Sequence, residues 1–176
     1  MIVAVVAAVV FVPMMIEALR AARNERAQRA SGGFEPAGDV YAIMQVAYPG
    51  AFLAMLAEGA VRGGAPGAAI AIGATVFVLA KALKWWAILA LGQAWTFRVI
   101  VVPQAPLVVS GPYRFMRHPN YLGVIGELVG GVLMTGAWIA GPLTTAGFAA
   151  LIAKRIEIET RALDRTVGLT SRSGAL

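Results

Sequence analysis

The chain has 176 residues, 59% of them hydrophobic and 14% charged, with a mean hydropathy of +0.75. Soluble domains usually carry about 25% charged residues, so this composition excludes an ordinary soluble fold. With no cysteine and one histidine, disulfides, thiolate nucleophiles and cysteine metal sites are excluded, and a catalytic metal site is not expected.

Apolar stretches of about 20 residues cross the roughly 30 Å hydrocarbon layer as helices. Five such runs predict an all-α integral membrane protein: about Ile2–Leu19, Tyr41–Ala60, Gly67–Leu91, Leu122–Ala140 and Leu143–Ala153. The last is short, and helical periodicity extends it through Leu163. The first run lacks a basic leader and a small-residue cleavage site, and reads as a retained anchor. It passes into Glu17–Arg29, whose basic amphipathic pattern predicts a helix leaving the membrane along the interface. A Gly- and Pro-rich loop follows over Ser31–Gly38. The second run contains Gln45, Pro49 and Glu58, and the proline is expected to kink it. Residues 62–67 read as a tight external turn.

The third run ends with Lys81, Lys84, Trp85 and Trp86, a pattern of lysines that snorkel beside belt tryptophans or of residues lining the mouth of a lipid-facing cavity. Between Gly92 and Pro119 the chain leaves the hydrocarbon. Trp95–Val102 is β-branched and aromatic enough for short extended pieces, while Pro103, Pro106 and Pro112 rule out one continuous helix. A loop this long in a compact protein is functional or disordered, and this one is too apolar for disorder. Gly141-Pro142 is expected to turn the chain between the fourth and fifth runs, and Thr166–Leu176 to form a flexible tail.

The formal net charge of +6 follows the spans. Arg20, Arg23, Arg26 and Arg29 follow the first; Arg98, Arg114 and Arg117 the third; Lys154, Arg155, Arg161, Arg165 and Arg172 the last. Arg62 lies on the opposite side. This positive-inside pattern places the N-terminus outside and the C-terminus in the cytoplasm. It points to membrane lipids as partners, not nucleic acid.

The chemistry concentrates in Gly111-Pro-Tyr-Arg-Phe-Met-Arg-His-Pro-Asn-Tyr121. Arg114 and Arg117 supply a cationic pair, His118 an imidazole, Tyr113 and Tyr121 two phenols. Such a group binds an anionic or zwitterionic ligand and takes a proton at neutral pH; it also matches a head-group anchor. Glu127 lies in the fourth run, where a carboxylate costs at least ~2.5 kcal/mol on insertion scales. It marks either a functional group or a structural pair with Lys84 or a hydroxyl of another helix. Gly123, Gly126, Gly130 and Gly131 offer small surfaces for close helix packing.

The motif Gly-Pro-Tyr-Arg-x-x-Arg-His-Pro-x-Tyr over 111–121 resembles the signature of the isoprenylcysteine carboxyl methyltransferase family of membrane enzymes. Their second signature, Arg-x-x-x-Glu-Glu-x-x-Leu, resembles Arg155-Ile-Glu-Ile-Glu-Thr-Arg-Ala-Leu163. Residues 95–106 look like a bacterial branch associated with O-methylation of alkylpyrones and alkylresorcinols. The resemblance covers roughly residues 85–164. It implies about five transmembrane helices, with a cytoplasmic loop and the C-terminal helix forming a pocket for S-adenosylmethionine. Carried over by residue, His118, Arg155 and Glu159 are the implied catalytic set. Tyr113, Arg117, His118, Pro119, Tyr121 and Glu159 are implied to bind the cofactor, and Trp95 and Glu127 are candidates for the substrate pocket. The second acid of the Glu-Glu pair is Thr160 here; Glu157 or Glu159 takes over its role, the substrate differs, or activity is lost.

The expected division is thus a two-helix membrane segment with a basic interfacial stretch over 1–66, a methyltransferase core over 67–165, and the tail over 166–176. The expected function is S-adenosylmethionine-dependent O-methylation of a lipophilic acceptor entering from the bilayer. Two alternatives are an NADPH-dependent membrane reductase with a related helical layout and a non-enzymatic lipid-binding scaffold.

Overall fold

A computed structural model describes the backbone of residues 2–103 and 105–173, with side chains described for 5–103 and 105–162. Five α-helices account for most of it: α1 Ile2–Ala30, α2 Tyr41–Arg62, α3 Gly67–Leu91, α4 Pro119–Thr135 and α5 Ala140–Ser173. Short 3-10 turns at Gly92–Ala94 and Gly111–Arg114 flank the long loop between α3 and α4. Among the described residues, α1 over Val5–Ala30 and the stretch Gly67–Ala94 are long and apolar enough to cross a membrane.

Helices α3 and α4 pack closely because glycines remove the side chains between them. A Cβ on Gly130 would stand 2.8 Å from Gly73 O and from Phe77 Cβ; one on Gly73 would stand 2.7 Å from Leu133 Cβ. The structural reading of the α4 glycines therefore holds. Against this pair lies a core of Val10, Tyr48, Phe52, Met55, Phe77, Leu128 and Phe148, drawn from all five helices. Outward-facing Val46, Leu79, Leu89 and Leu143 are each 60% exposed or more, an apolar surface that suits lipid better than water.

Four features of the fold extend or change the sequence reading. First, α1 is one uninterrupted helix through Ala30, with no boundary at Leu19. The stretch expected to follow the interface buries Glu17, Asn24 and Gln28 against the bundle. Second, Lys84 does not snorkel. It is 2% exposed, with Nζ 2.6 Å from Glu17 Oε2 and 3.4 Å from Glu127 Oε1, because two carboxylates on neighbouring helices offer a closer counter-charge than the interface. Third, the α4–α5 turn falls earlier than Gly141-Pro142. Gly136 ends α4 with φ 71°, a left-handed conformation that glycine adopts at little cost, and Pro142 sits in the first turn of α5, where its missing N–H costs nothing. Fourth, the backbone of α5 is helical to Ser173, through most of the segment expected as a tail; residues 174–176 lie outside the described residues.

Candidate functional site

The long loop is held in place by the polar residues of α1. Asn24 Nδ2 donates to Gly92 O (2.9 Å) and Trp95 O (2.7 Å), and Gln28 Nε2 donates to Gln93 O (2.8 Å). Trp95 is buried with Ala21 and Ile88, and Phe97 packs against it at 5.2 Å between ring centroids. Farther on, Val101 and Phe34 exchange both backbone hydrogen bonds, at 2.9 and 3.0 Å, as an antiparallel bridge. This is the extended piece expected from the β-branched run. Arg98 pairs with Glu35 (Nη1–Oε1 2.8 Å), which also meets Arg29. Burial works to raise the Glu35 pKa, but the hydrogen bonds from Arg98 and Arg29 outweigh it and hold the carboxyl below its ordinary value. Val99 and Val101 cluster with Ala162 of α5, so the loop and the C-terminal helix share a small core.

At this junction the two motifs meet. Pro119 occupies the first turn of α4, where its fixed φ starts the helix, and Tyr121 follows within that turn. Arg155 and Glu159 stand one helical turn apart on α5, on the same face. Arg155 Nε–H donates to Tyr121 Oη at 2.9 Å, and Tyr121 O–H donates to Glu159 Oε2 at 3.2 Å. The phenol thus accepts from one motif residue and donates to another. The His118 ring stacks on Tyr121, with centroids 5.4 Å apart and planes at 23°. Burial pushes the Tyr113 phenol well up, and the Glu159 charge adds to the shift, which places Tyr113 within electrostatic reach of the same carboxylate. Of the expected set, His118, Tyr121, Arg155 and Glu159 come together directly, Pro119 starts the helix that carries Tyr121, and the charge of Glu159 is felt at Tyr113.

Arg117 is exposed. Trp95 belongs to the small core under the loop, and Glu127 is buried in an ionic group with Lys84, Glu17 and the partly exposed Lys81. The Tyr48 hydroxyl also donates to Glu127. The structural pairing with Lys84 weighed from the sequence is therefore present. Thr160 is exposed. Glu157 faces outward with Lys154 and Arg161, so Glu159 is the acid turned to Tyr121.

One residue of the group has no counterpart in the sequence reading. Asp39, its side chain 3% exposed, lies with Oδ1 3.4 Å from Arg155 Nη1. The same carboxylate accepts from Tyr41 N–H (3.2 Å) and Val99 N–H (3.0 Å). An aspartate two residues before a helix start is a recognisable turn signal, but nothing in its sequence position points to α5.

The donor set fits S-adenosylmethionine. Arg155 can hold the carboxylate of its amino-acid end. The Glu159 carboxylate and the His118–Tyr121 ring faces suit a cationic sulfur. Asn120 Oδ1 is buried without a donor among the described residues and can accept from an amine.

Residues 71–165 match the model of the isoprenylcysteine carboxyl methyltransferase (ICMT) family. The chain belongs to that family. The match begins inside α3 and contains both motifs. The chain is also 30% identical over 156 residues to the uncharacterized protein YpbQ of Bacillus subtilis, covering 89% of this chain and 93% of that one. It is 25% identical over 142 residues to an uncharacterized protein of Haemophilus influenzae, covering 80% and 83%. A probable protein-S-isoprenylcysteine O-methyltransferase of rice is 29% identical over 94 residues, half of this chain and 47% of the plant protein. No solved structure matches. Family membership and the two apolar helices identify a membrane protein of a methyltransferase family. The reductase and scaffold alternatives gain no support from these relatives.

Proposed function

We propose that the chain is a multi-pass membrane methyltransferase that transfers a methyl group from S-adenosylmethionine to an oxygen of a lipophilic acceptor. All five helices cross the bilayer in this reading, with the N-terminus outside and the C-terminus and cofactor site on the cytoplasmic side. The observation that carries the proposal is the junction of Tyr121, Arg155 and Glu159, which joins the two family motifs across 34 residues of chain. Bound there, S-adenosylmethionine would supply a sulfonium-activated methyl group.

The residues then act by position and charge. Arg155 anchors a carboxylate, while Glu159 lies opposite positive charge and is held by the Tyr121 hydroxyl. His118, the only imidazole in the chain, can take the proton of a hydroxyl acceptor; a carboxylate acceptor needs no base. Alignment of the acceptor oxygen accounts for much of the acceleration, worth up to about 7–11 kcal/mol in favourable cases.

A lipophilic acceptor is supported by an apolar groove of about 560 Å³ between α2 and α5, lined by residues that include Val46, Ala51, Phe148 and Leu151. Leu151 precedes Arg155 by one turn, about 6 Å along α5, so an alkyl chain in the groove would bring its polar head near the site. The acceptor classes are the hydroxyl of an alkylpyrone or alkylresorcinol and a prenylcysteine-like carboxylate. Calorimetry on the detergent-purified protein tests the cofactor, with binding of S-adenosylhomocysteine expected. Labelled methyl transfer to an alkylresorcinol and to a prenylated cysteine then separates the acceptors. Binding of NADPH but not of S-adenosylhomocysteine would overturn the proposal.

A further inference from the structure

The α1–α2 connection lies outside the family-matched stretch of residues 71–165, yet it supplies a buried carboxylate to the motif residues. Asp39 is fixed independently of α5, because its oxygens accept from the Tyr41 and Val99 amides. The surrounding segments are laced by the Phe34–Val101 bridge and the Glu35–Arg98 pair. Asp39 Oδ1 also accepts from Arg155 Nη1 at 3.4 Å. Arg155, 5% exposed, is therefore held on two edges of a planar, rigid group: Nη1 by Asp39 and Nε by Tyr121 Oη. Two anchors fix the plane of a guanidinium, where one leaves it free to turn.

We propose that Asp39 is a positioning residue of the cofactor site: it orients Arg155, and through Arg155 the Tyr121 hydroxyl proton toward Glu159. This rests on the reading of that group as the cofactor site. A hydroxyl has one proton and must point it away from the donor it accepts from. While Arg155 donates to Tyr121, the phenol proton is directed to Glu159. Without Asp39, the buried guanidinium turns to the next carboxylate within reach, Glu159, one turn along α5. The acid that faces a cationic ligand is then neutralised by its own helix. The N-terminal hairpin is thus a working part of the site.

The test compares wild type, Asp39→Asn and Asp39→Glu in detergent micelles by two measurements. Calorimetry reads S-adenosylhomocysteine binding. Asp39→Asn is expected to weaken it about tenfold or more, the factor for about 1.4 kcal/mol of lost charge-assisted pairing, and Asp39→Glu to recover part of the loss. Nuclear magnetic resonance reads the Arg155 Nε–H, assigned through Arg155→Lys. A slowly exchanging resonance is expected in wild type, lost in Asp39→Asn and present but shifted in Asp39→Glu. An unchanged Arg155 Nε–H or unchanged affinity in Asp39→Asn overturns the proposal. If Asp39→Asn does not fold, Asp39→Glu carries the same comparison, and a spectrum identical to wild type overturns it. If wild type binds no S-adenosylhomocysteine, the cofactor reading falls, and the Nε–H comparison still decides whether Asp39 orients Arg155.

Discussion

Four charged side chains meet between α1, α3 and α4, three of them buried and Lys81 15% exposed, and their balance predicts how the fold responds to substitution. Lys81 Nζ stands 3.2 Å from Glu17 Oε1 and 2.8 Å from Glu127 Oε2. Lys84 Nζ stands 2.6 Å from Glu17 Oε2 and 3.4 Å from Glu127 Oε1. The Glu17 and Glu127 side chains are each 1% exposed and that of Lys84 3%. Two ammonium groups and two carboxylates cancel. Glu127→Gln leaves two ammonium groups on one carboxylate, and removing one member of a buried pair costs about 3–5 kcal/mol. Lys84→Met alone leaves two carboxylates on Lys81 and falls in the same range.

The double variant Glu127→Gln/Lys84→Met leaves Lys81 paired with Glu17. It is expected to be at least ~1 kcal/mol more stable than Glu127→Gln alone, within the coupling seen between contacting residues. Reversible unfolding in mixed micelles, followed by helical circular dichroism, measures all three. A double loss equal to the sum of the singles within about 0.5 kcal/mol would refute the charge-balance argument. The same set addresses Glu127 as a substrate-pocket candidate: stability that returns without turnover would give the carboxylate a role at the acceptor.

Tyr121→Phe removes the hydroxyl between Arg155 and Glu159, and is expected to lower turnover at least about tenfold with helicity intact, since hydrogen bonds to charged groups contribute about 1.5–3 kcal/mol. Thr160→Ala, at an exposed position, should leave turnover unchanged, while Glu159→Gln and His118→Ala should each reduce it severely. Gly130→Val is expected to destabilise the α3–α4 contact by about 1–3 kcal/mol through overpacking, read as a lower unfolding midpoint. Glu35→Gln tests pH dependence. The native carboxyl sits below its ordinary pKa, so its contribution is present above about pH 4.5 and fades as the pH falls through the lower native value; stability curves of wild type and variant should differ at neutral pH and converge in acid. A reporter fused after Leu176 should be active on the cytoplasmic side.

The positions of α2 and α3 were legible because apolar runs of helical length stand between Gly- and Pro-rich segments, and α3 begins and ends where those runs do. The end of α1 was not. Its basic residues read as an interfacial face, whereas the helix is held by Glu17, Asn24 and Gln28, whose partners lie more than 60 residues away. Lys81 and Lys84 pair with Glu17 and Glu127 instead of snorkelling, and the sequence hides this for the same reason: a lysine beside tryptophan looks alike whether it reaches for water or for a carboxylate on another helix.

The site divides along the same line. His118, Tyr121, Arg155 and Glu159 were legible because each motif keeps its residues close in sequence, and the α4–α5 hairpin brings the second motif back beside the first. Asp39 was hidden because its partner Arg155 is 116 residues distant, and a lone acid in a loop carries no periodicity. Local spacing determines which face of a helix a charge occupies, but the packing of α1 and its loop determines which charge it meets. A motif can therefore name the residues of this site while leaving out the carboxylate that orients them.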